Sequence, residues 1–228
     1  MPTFPYTPRC FRSIVYHNNI LGKQNRGQAG ATMKRCSIII HSVNGNSFLM
    51  GSYLQEQLRN RNVDARLYRV EDTDLHIWAN KLETTNDYYE DILALPEATI
   101  STLKKSDMVI LGCPTRFGNM TAEMKAFLDS TFDLSEDRSL ETKFFACFTS
   151  CTHSTCEGSH ALDALLYWAQ NMGMIHIPFG VHTEMPNCNQ PVAGLVHLAG
   201  KENMIRPSQQ LGDVMDVYAD TLAAYIQE

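Results

Sequence analysis

A short stretch near the middle of the chain combines the turn-forming residues and the polar side chains of a ligand-binding loop. It reads Gly112-Cys113-Pro114-Thr115-Arg116-Phe117-Gly118-Asn119-Met120. Proline and glycine shape a turn, threonine and asparagine offer hydrogen bonds, and arginine pairs with phosphate or stacks on a ring. These residue types indicate a flat, polar, anionic ligand. They also fit an ordinary turn with an exposed arginine and a core phenylalanine.

The segments on either side of this stretch predict a strand followed by a helix. Met108–Leu111 is wholly apolar, as in a strand buried on both faces of a parallel sheet. After the stretch, Met124, Phe127 and Leu128 lie at helical spacing between charged residues. The stretch is therefore predicted to be a strand-to-helix loop. Ligands of open α/β sheets bind at loops of this kind, beyond the carboxyl ends of the strands.

The run Pro-Thr-Arg-Phe-Gly-Asn-Met, followed by Met124–Asp129, resembles the flavin loop of the WrbA-type NAD(P)H:quinone oxidoreductases. The resemblance implies a flavodoxin-like fold that binds FMN and uses NAD(P)H to reduce quinones by two electrons in a ping-pong cycle. Departures from the family at Asn44, at Asn171 and in the loop after the fourth predicted strand leave a second interpretation open, a flavodoxin-like FMN-binding or electron-carrier protein without dehydrogenase activity. Flavin carries the chemistry in such proteins, so no catalytic side chain is predicted. The cofactor-binding residues implied in this loop are Pro114, Thr115, Arg116, Phe117, Gly118 and Asn119.

A second polar loop follows the first predicted strand. It consists of Ser42, Val43, Asn44, Gly45, Asn46 and Ser47, just before a helical pattern. Amide and hydroxyl donors that converge at a helix N-terminus favour phosphate binding. No lysine follows, so the loop is not a nucleoside-triphosphate loop. The resemblance implies that these six residues bind the FMN phosphate, with Asn44 in place of the family's usual aromatic residue.

A third loop follows the fourth predicted strand. The family has a glycine-rich turn there, whereas this chain retains only Gly158 and supplies hydroxyl groups instead. Asn171 falls where the family usually has a histidine near the flavin. The resemblance therefore adds these cofactor-binding residues: Ser150, Cys151, Thr152, His153, Ser154, Thr155 and Asn171.

The third loop also contains residues that ligate metals. Cys151, His153, Cys156 and His160 leave a tetrahedral metal site and a thiol switch open as interpretations. Their spacing matches no familiar zinc motif, so we expect loop residues around a cofactor and no metal. The histidine of the first strand, His41, is predicted to be a hydrogen-bonded core residue.

Apolar segments predict a five-stranded parallel sheet with helices on both faces, an α/β architecture of three layers. The flavodoxin-like strand order implied by the resemblance is 2-1-3-4-5. The predicted strands are Ser37–Ser42, Val63–Val70, Met108–Leu111, Phe144–Phe148 and Met174–Pro178. The stretch from Val181 to Asn203 is a long loop, and loops of that length are usually functional or mobile.

The composition restricts the partners and the compartment. The formal charge of −6 argues against a nucleic-acid-binding surface, and no apolar run approaches the roughly 18 residues of a membrane span. Seven cysteines without a signal-peptide-like segment indicate a reducing compartment, so the chain is predicted to be cytoplasmic. The resemblance implies a homodimer or homotetramer.

The first 35 residues differ in charge from the rest of the chain. Six basic residues precede the first acidic one, Glu56, and no periodicity is visible. We predict a disordered basic leader over residues 1–35 and a flavodoxin-like domain over residues 36–228. An organellar transit peptide, a functional arm, and a native start at Met33 remain open.

Overall fold

The computed structural model describes residues 33–81, 87–182, 185 and 188–228. Residues 1–32, which form most of the predicted leader, lie outside these ranges. The strands are β1 Arg35–Ile40, β2 Asp64–Arg69, β3 Met108–Pro114, β4 Phe144–Cys151, β5 Ile175–His176 and β6 Leu195–Leu198. The α-helices are α1 Asn46–Asn60, α2 Leu75–Lys81, α3 Tyr89–Leu93, α4 Ile100–Lys104, α5 Ala122–Asp129, α6 Asp133–Glu136, α7 Thr155–Asn171 and α8 Gln209–Gln227. A short 3₁₀ turn covers Lys201–Asn203.

The strands form one parallel sheet in the order β2-β1-β3-β4-β5, which confirms the predicted order. Ile38 pairs with Leu67 on one side and with Ile110 on the other. These three buried side chains lie on one face of the sheet, and Ile39, Val109 and Leu111 are buried on the other face, as expected for a parallel sheet covered on both sides.

The prediction of a single fifth strand is wrong in detail. Only Ile175 and His176 pair with the start of β4, and a sixth strand then pairs with its end, at Phe148 to Cys151. The fifth position in the sheet is thus split between β5 and β6. Pro178 and Gly180 follow β5 closely, and proline cannot donate to a ladder, so the chain leaves the sheet and returns later.

Helices cover both faces of the sheet. On one face, α1 and α8 pack through Leu54 and Tyr218 against Ile38, and the Tyr218 hydroxyl donates to the Ile177 carbonyl at 2.6 Å. On the other face, α5 and α7 pack against Val109 and Cys147. Burial of these apolar side chains is the main force that holds the three layers together. Among the described helices, none is long and apolar enough to cross a membrane.

Three helices begin with hydroxyl caps close to the carboxyl edge of the sheet. Thr121 accepts a hydrogen bond from the Met124 amide, and Ser154 and Ser208 cap α7 and α8 in the same way. Such caps satisfy amides that the first helical turn leaves unpaired. They fix where each strand-to-helix loop ends, and so they position the loops predicted to bind the ligand.

Candidate functional site

The three predicted loops meet at the carboxyl edge of the sheet. The Thr115 amide donates to the Ser150 carbonyl at 2.8 Å, which joins the second and third loops. A small cavity opens where all three loops converge. Its lining residues are Ser42, Val43, Asn44, Asn46, Ser47, Pro114, Arg116, Ser150 and Asn203.

The first loop leaves hydrogen-bond donors free at the start of α1. Gly45 precedes this helix with φ of 87°, and it supplies no side chain to cap the first turn. The Ser42 hydroxyl accepts from the Phe48 amide at 3.2 Å. The Ser47 hydroxyl is buried and has no hydrogen-bond partner. The unpaired Ser47 hydroxyl and the positive end of the helix dipole together form a site suited to a phosphate group.

The second loop is a tight turn that projects an aromatic ring into solvent. Arg116 and Asn119 exchange two backbone hydrogen bonds, of 2.8 and 3.0 Å. The residues between them, Phe117 and Gly118, have φ of 52° and 71°, as in a type I′ hairpin turn. The Phe117 side chain is fully exposed, and Arg116 is also exposed. The interpretation of Phe117 as a core residue is therefore wrong.

The third loop turns its side chains in different directions. Cys151 is buried with its thiol 3.7 Å from the His197 carbonyl, and burial raises the pKa of this thiol to about 11. Cys156, His153 and His160 are exposed. Within the described residues, these four side chains do not form a cluster with metal-ligand spacing.

The C-terminal half of the chain contributes residues that the sequence did not indicate. The Thr152 hydroxyl donates to the Asn203 side chain at 3.0 Å, and the Asn46 side-chain amide donates to the Asn203 carbonyl at 3.3 Å. Asn203 thereby bridges the first and third loops. Arg206 donates to the Asn44 carbonyl and to the Asn46 side chain, and its guanidinium lies 4.8 Å from the centre of the Tyr88 ring.

Asn171 is not brought to this edge. It is the last residue of α7, a helix whose first residue, Thr155, follows the third loop. Sixteen steps of about 1.5 Å separate the two ends, and the Asn171 side chain donates to the Tyr167 carbonyl at 2.7 Å. We therefore remove Asn171 from the site that one chain forms. The prediction matched a sequence position without allowing for the length of the helix.

Comparison with known proteins identifies the family. Residues 37–185 match the NADPH-dependent FMN reductase family. The chain belongs to this family. A relative named NAD(P)H dehydrogenase (quinone), from Archaeoglobus fulgidus, is 32% identical over 64% of this chain and 78% of its own length. Another of the same name, from Deinococcus radiodurans, is 26% identical over 66% of this chain and 76% of its own.

Solved structures show the same fold for this FMN reductase family member. A WrbA-like flavodoxin protein from Agrobacterium tumefaciens superposes with a TM-score of 0.59, at 16% identity, over 85% of this chain and 98% of that one. An archaeal flavodoxin gives a TM-score of 0.54 at 18% identity, over 85% and 99%. The flavodoxin-like fold and the resemblance inferred from the flavin loop are confirmed.

The first loop of this family member fits the phosphate of FMN. The unpaired Ser47 hydroxyl lies at the N-terminus of α1, and Ser42 and Asn46 line the same cavity. Among the described residues that line the cavity none is acidic, so a dianionic phosphate meets no carboxylate repulsion from them. The open Arg116 turn stands next to this wall, where a ring system attached to the phosphate would extend.

Proposed function

We propose that the chain is an FMN-dependent NAD(P)H:quinone oxidoreductase. One observation supports this most directly, namely the N-terminus of α1, with its unpaired Ser47 hydroxyl, beside the exposed Arg116–Asn119 turn. The first feature suits a flavin phosphate, and the second leaves the ring side open to reactants. The relatives named NAD(P)H dehydrogenase (quinone) support the choice of donor and acceptor.

The proposed roles divide among the three loops. When bound, FMN would supply the redox chemistry, by which NAD(P)H and one proton from solvent convert a quinone to its hydroquinone. Residues 42–47 bind the phosphate, and residues 114–119 and 150–155 hold the ring system. No side chain needs to act as a general base, so the protein contributes binding, orientation and exclusion of water.

The exposed turn suggests how two substrates use one site. Arg116 offers a guanidinium to the dinucleotide phosphates, and Phe117 offers an apolar ring to a flat acceptor. Because both side chains lie on the same turn, we propose that donor and acceptor occupy the same face in succession. This order of events is a ping-pong cycle.

The test begins with the purified full-length chain. We expect flavin absorbance, loss of that absorbance when NADPH or NADH is added without oxygen, and its return when benzoquinone follows. Initial rates at several quinone concentrations should give parallel double-reciprocal lines. A yellow protein that neither donor bleaches, but dithionite does, would instead be an electron carrier. A chain that binds no FMN would contradict both proposals.

The free cysteines support a proposal for the compartment of the protein. All six described cysteines are free thiols, which suits a reducing compartment such as the cytoplasm.

We also propose a homodimer or homotetramer, which light scattering of the purified chain would test. Residues 36–228 are proposed to be sufficient for FMN binding, so a chain beginning at Met33 should bind FMN like the full-length chain.

A further inference from the structure

Three side chains from separate elements converge next to the first loop. His41 lies between β1 and Ser42, Asp72 follows β2, and Glu123 lies in the first turn of α5. Since β2, β1 and β3 are neighbours in the sheet, the segments that follow them meet at its carboxyl edge. The three side chains are separate from the cavity proposed for FMN, because none of them lines it.

The spacing of these side chains suits a single small cation. His41 Nε2 lies 3.0 Å from Asp72 Oδ2, and His41 Nδ1 lies 3.7 Å from Glu123 Oε2. One ligand atom from each residue can be chosen so that all three lie within 4.8 Å of one another. Zinc binds nitrogen and oxygen at about 2.0–2.2 Å, which places tetrahedral ligands about 3.3 Å apart. The distance from Nδ1 to Glu123 is close to that value, whereas Asp72 accepts from Nε2 and would orient the ring of an imidazole that binds an ion through Nδ1.

One nitrogen of the imidazole has no hydrogen-bond partner. The His41 side chain is 3% exposed, and its Nδ1 is buried and unpaired. Glu123 Oε2 faces this nitrogen at 3.7 Å, which is too far for a hydrogen bond. Buried polar atoms in proteins are nearly always satisfied. An unpaired nitrogen directed at a carboxylate therefore indicates a missing group between them.

The charges of the cluster point to a cation. Whatever its protonation state, His41 carries at most one positive charge against two carboxylates. Across the described ranges, no lysine or arginine forms an ion pair with Asp72 or Glu123. Asp72 accepts hydrogen bonds from His41 Nε2 at 3.0 Å and from the Asp74 amide at 2.9 Å. The Asp72 side chain is only 6% exposed, so this negative charge is poorly solvated.

We propose that His41 and Glu123 bind one divalent transition-metal ion and that Asp72 orients the imidazole, with zinc the best chemical match. Nδ1 of His41 and one oxygen of Glu123 supply two ligands, and Asp72 holds the ring through Nε2. The Glu123 side chain is 34% exposed, so water molecules can complete the tetrahedron from that side. Imidazole disfavours magnesium and calcium relative to zinc. The ion would link the strand before the phosphate loop to the helix after the flavin turn.

The experiment uses the full-length chain with its flavin, treated with EDTA and then dialysed. Zn²⁺ is titrated in competition with a chromophoric chelator, and Mg²⁺ is tested in parallel. The variants are His41→Gln and Glu123→Gln, which keep side-chain size, and His160→Gln, at an exposed position of α7, is the control. We expect one equivalent of zinc on the native chain, at least tenfold weaker binding in both variants, an unchanged control, and no competition from Mg²⁺.

Three results would overturn the proposal. They are no zinc binding by the native chain, native affinity in Glu123→Gln, and loss of binding in His160→Gln. If His41→Gln fails to fold, Glu123→Gln decides alone, because that side chain is partly exposed on a helix surface. The proposal is independent of the quinone reductase function. A chain that binds zinc but reduces no quinone would refute only that function.

Discussion

The ring of Tyr88 lies directly over Gly45, so closely that a Cβ on Gly45 would stand 2.2 Å from Cδ2 of Tyr88. Gly45 is also in the left-handed conformation, with φ of 87°. Two separate constraints therefore require glycine at the start of the phosphate loop, one from the backbone and one from the ring above it. Tyr88 immediately precedes α3, which begins at Tyr89, so this helix helps to hold the loop in place.

The two constraints at Gly45 can be separated by mutation. Gly180 has φ of 85°, and a Cβ placed on it would meet nothing within 4 Å, so Gly180→Ala reports the backbone constraint alone. We expect Gly180→Ala to lower the free energy of unfolding by about 1–2 kcal/mol. Gly45→Ala adds overpacking against Tyr88 and should cost roughly 2–5 kcal/mol. Urea unfolding of both flavin-free variants measures this, and equal losses would argue against the Tyr88 contact.

Arg116 should matter for ligands and hardly at all for folding. The Arg116 side chain is exposed. Within the described structure, the guanidinium makes one hydrogen bond, a long one of 3.4 Å to the Thr115 carbonyl. Charge-assisted hydrogen bonds contribute roughly 1.5–3 kcal/mol. Arg116→Ala should therefore weaken FMN or NADPH binding about ten- to a hundredfold. Arg116→Lys should restore little, because a point charge does not replace a planar guanidinium.

The measurement for Arg116 is a titration of FMN and NADPH against both variants, beside a thermal melt. Native affinity for both ligands in Arg116→Ala would remove this residue from the site. A lowered melting temperature with native affinity would instead assign it a structural role.

The cysteines of the third loop should differ sharply in reactivity. Burial raises the pKa of Cys151 to about 11, whereas Cys156 is exposed. Because the thiolate is the nucleophile, a thiol reagent at pH 8 should label Cys156 well before Cys151. Labelling of Cys151 should accelerate as the pH rises towards 11. Peptide mass mapping of the native chain and of Cys156→Ser tests this, and a Cys151–Cys156 disulfide after mild oxidation would support a thiol switch.

The bridge between Thr152 and Asn203 should couple the third loop to the C-terminal segment. Asn203 has φ of 57°, so Asn203→Gly removes the side chain without backbone strain. Thr152→Val removes the partner hydroxyl. We expect a coupling of about 1 kcal/mol in the free energy of unfolding and faster FMN dissociation in either variant. Strictly additive losses in the double variant would show that the 3.0 Å contact contributes nothing.

Stability should fall in mildly acidic buffer because of His197. Burial is the main cause that lowers the pKa of His197 below its usual 6.5, and its Nε2 donates to the Ile205 carbonyl at 2.7 Å. As the pH falls through about 6.5, His197 therefore becomes protonated in the unfolded chain while it stays neutral in the folded chain. The contribution of His197 to the free energy of unfolding should therefore be constant above pH 6.5 and should decrease as the pH falls below it. Urea midpoints at pH 7.5 and 5.5 should differ less in His197→Gln than in the exposed control, His160→Gln.

Local patterns in the sequence predicted most of the sheet and the three loops. Apolar runs such as Met108–Leu111 identify buried strands, because water is excluded from both of their faces. The order of the strands came from the resemblance of the flavin loop. The split of the fifth strand was missed, since Ile175 and His176 are too few to show a pattern, and α2 and α6 are also short.

The supports of the site were harder to predict than its loops. Tyr88, Asn203 and Arg206 act on the first loop across long sequence separations, and nothing near them in sequence shows this. The only indication in the sequence was the long loop predicted from Val181 to Asn203, since loops of that length are usually functional or mobile. His41 was predicted to be a satisfied core residue, yet only one of its ring nitrogens has a partner.

The split of the fifth strand has a consequence for the order in which the protein assembles during synthesis. Its amino half, β5, pairs with β4 soon after residue 176 emerges, but the half of β4 next to the site waits for Leu195–Leu198. Until then, Phe148 to Cys151 present an unpaired strand edge, whose free backbone groups are a template for association with other chains. The nascent chain therefore completes its ligand-binding edge last. Stalling synthesis before residue 195 should leave a species prone to aggregation.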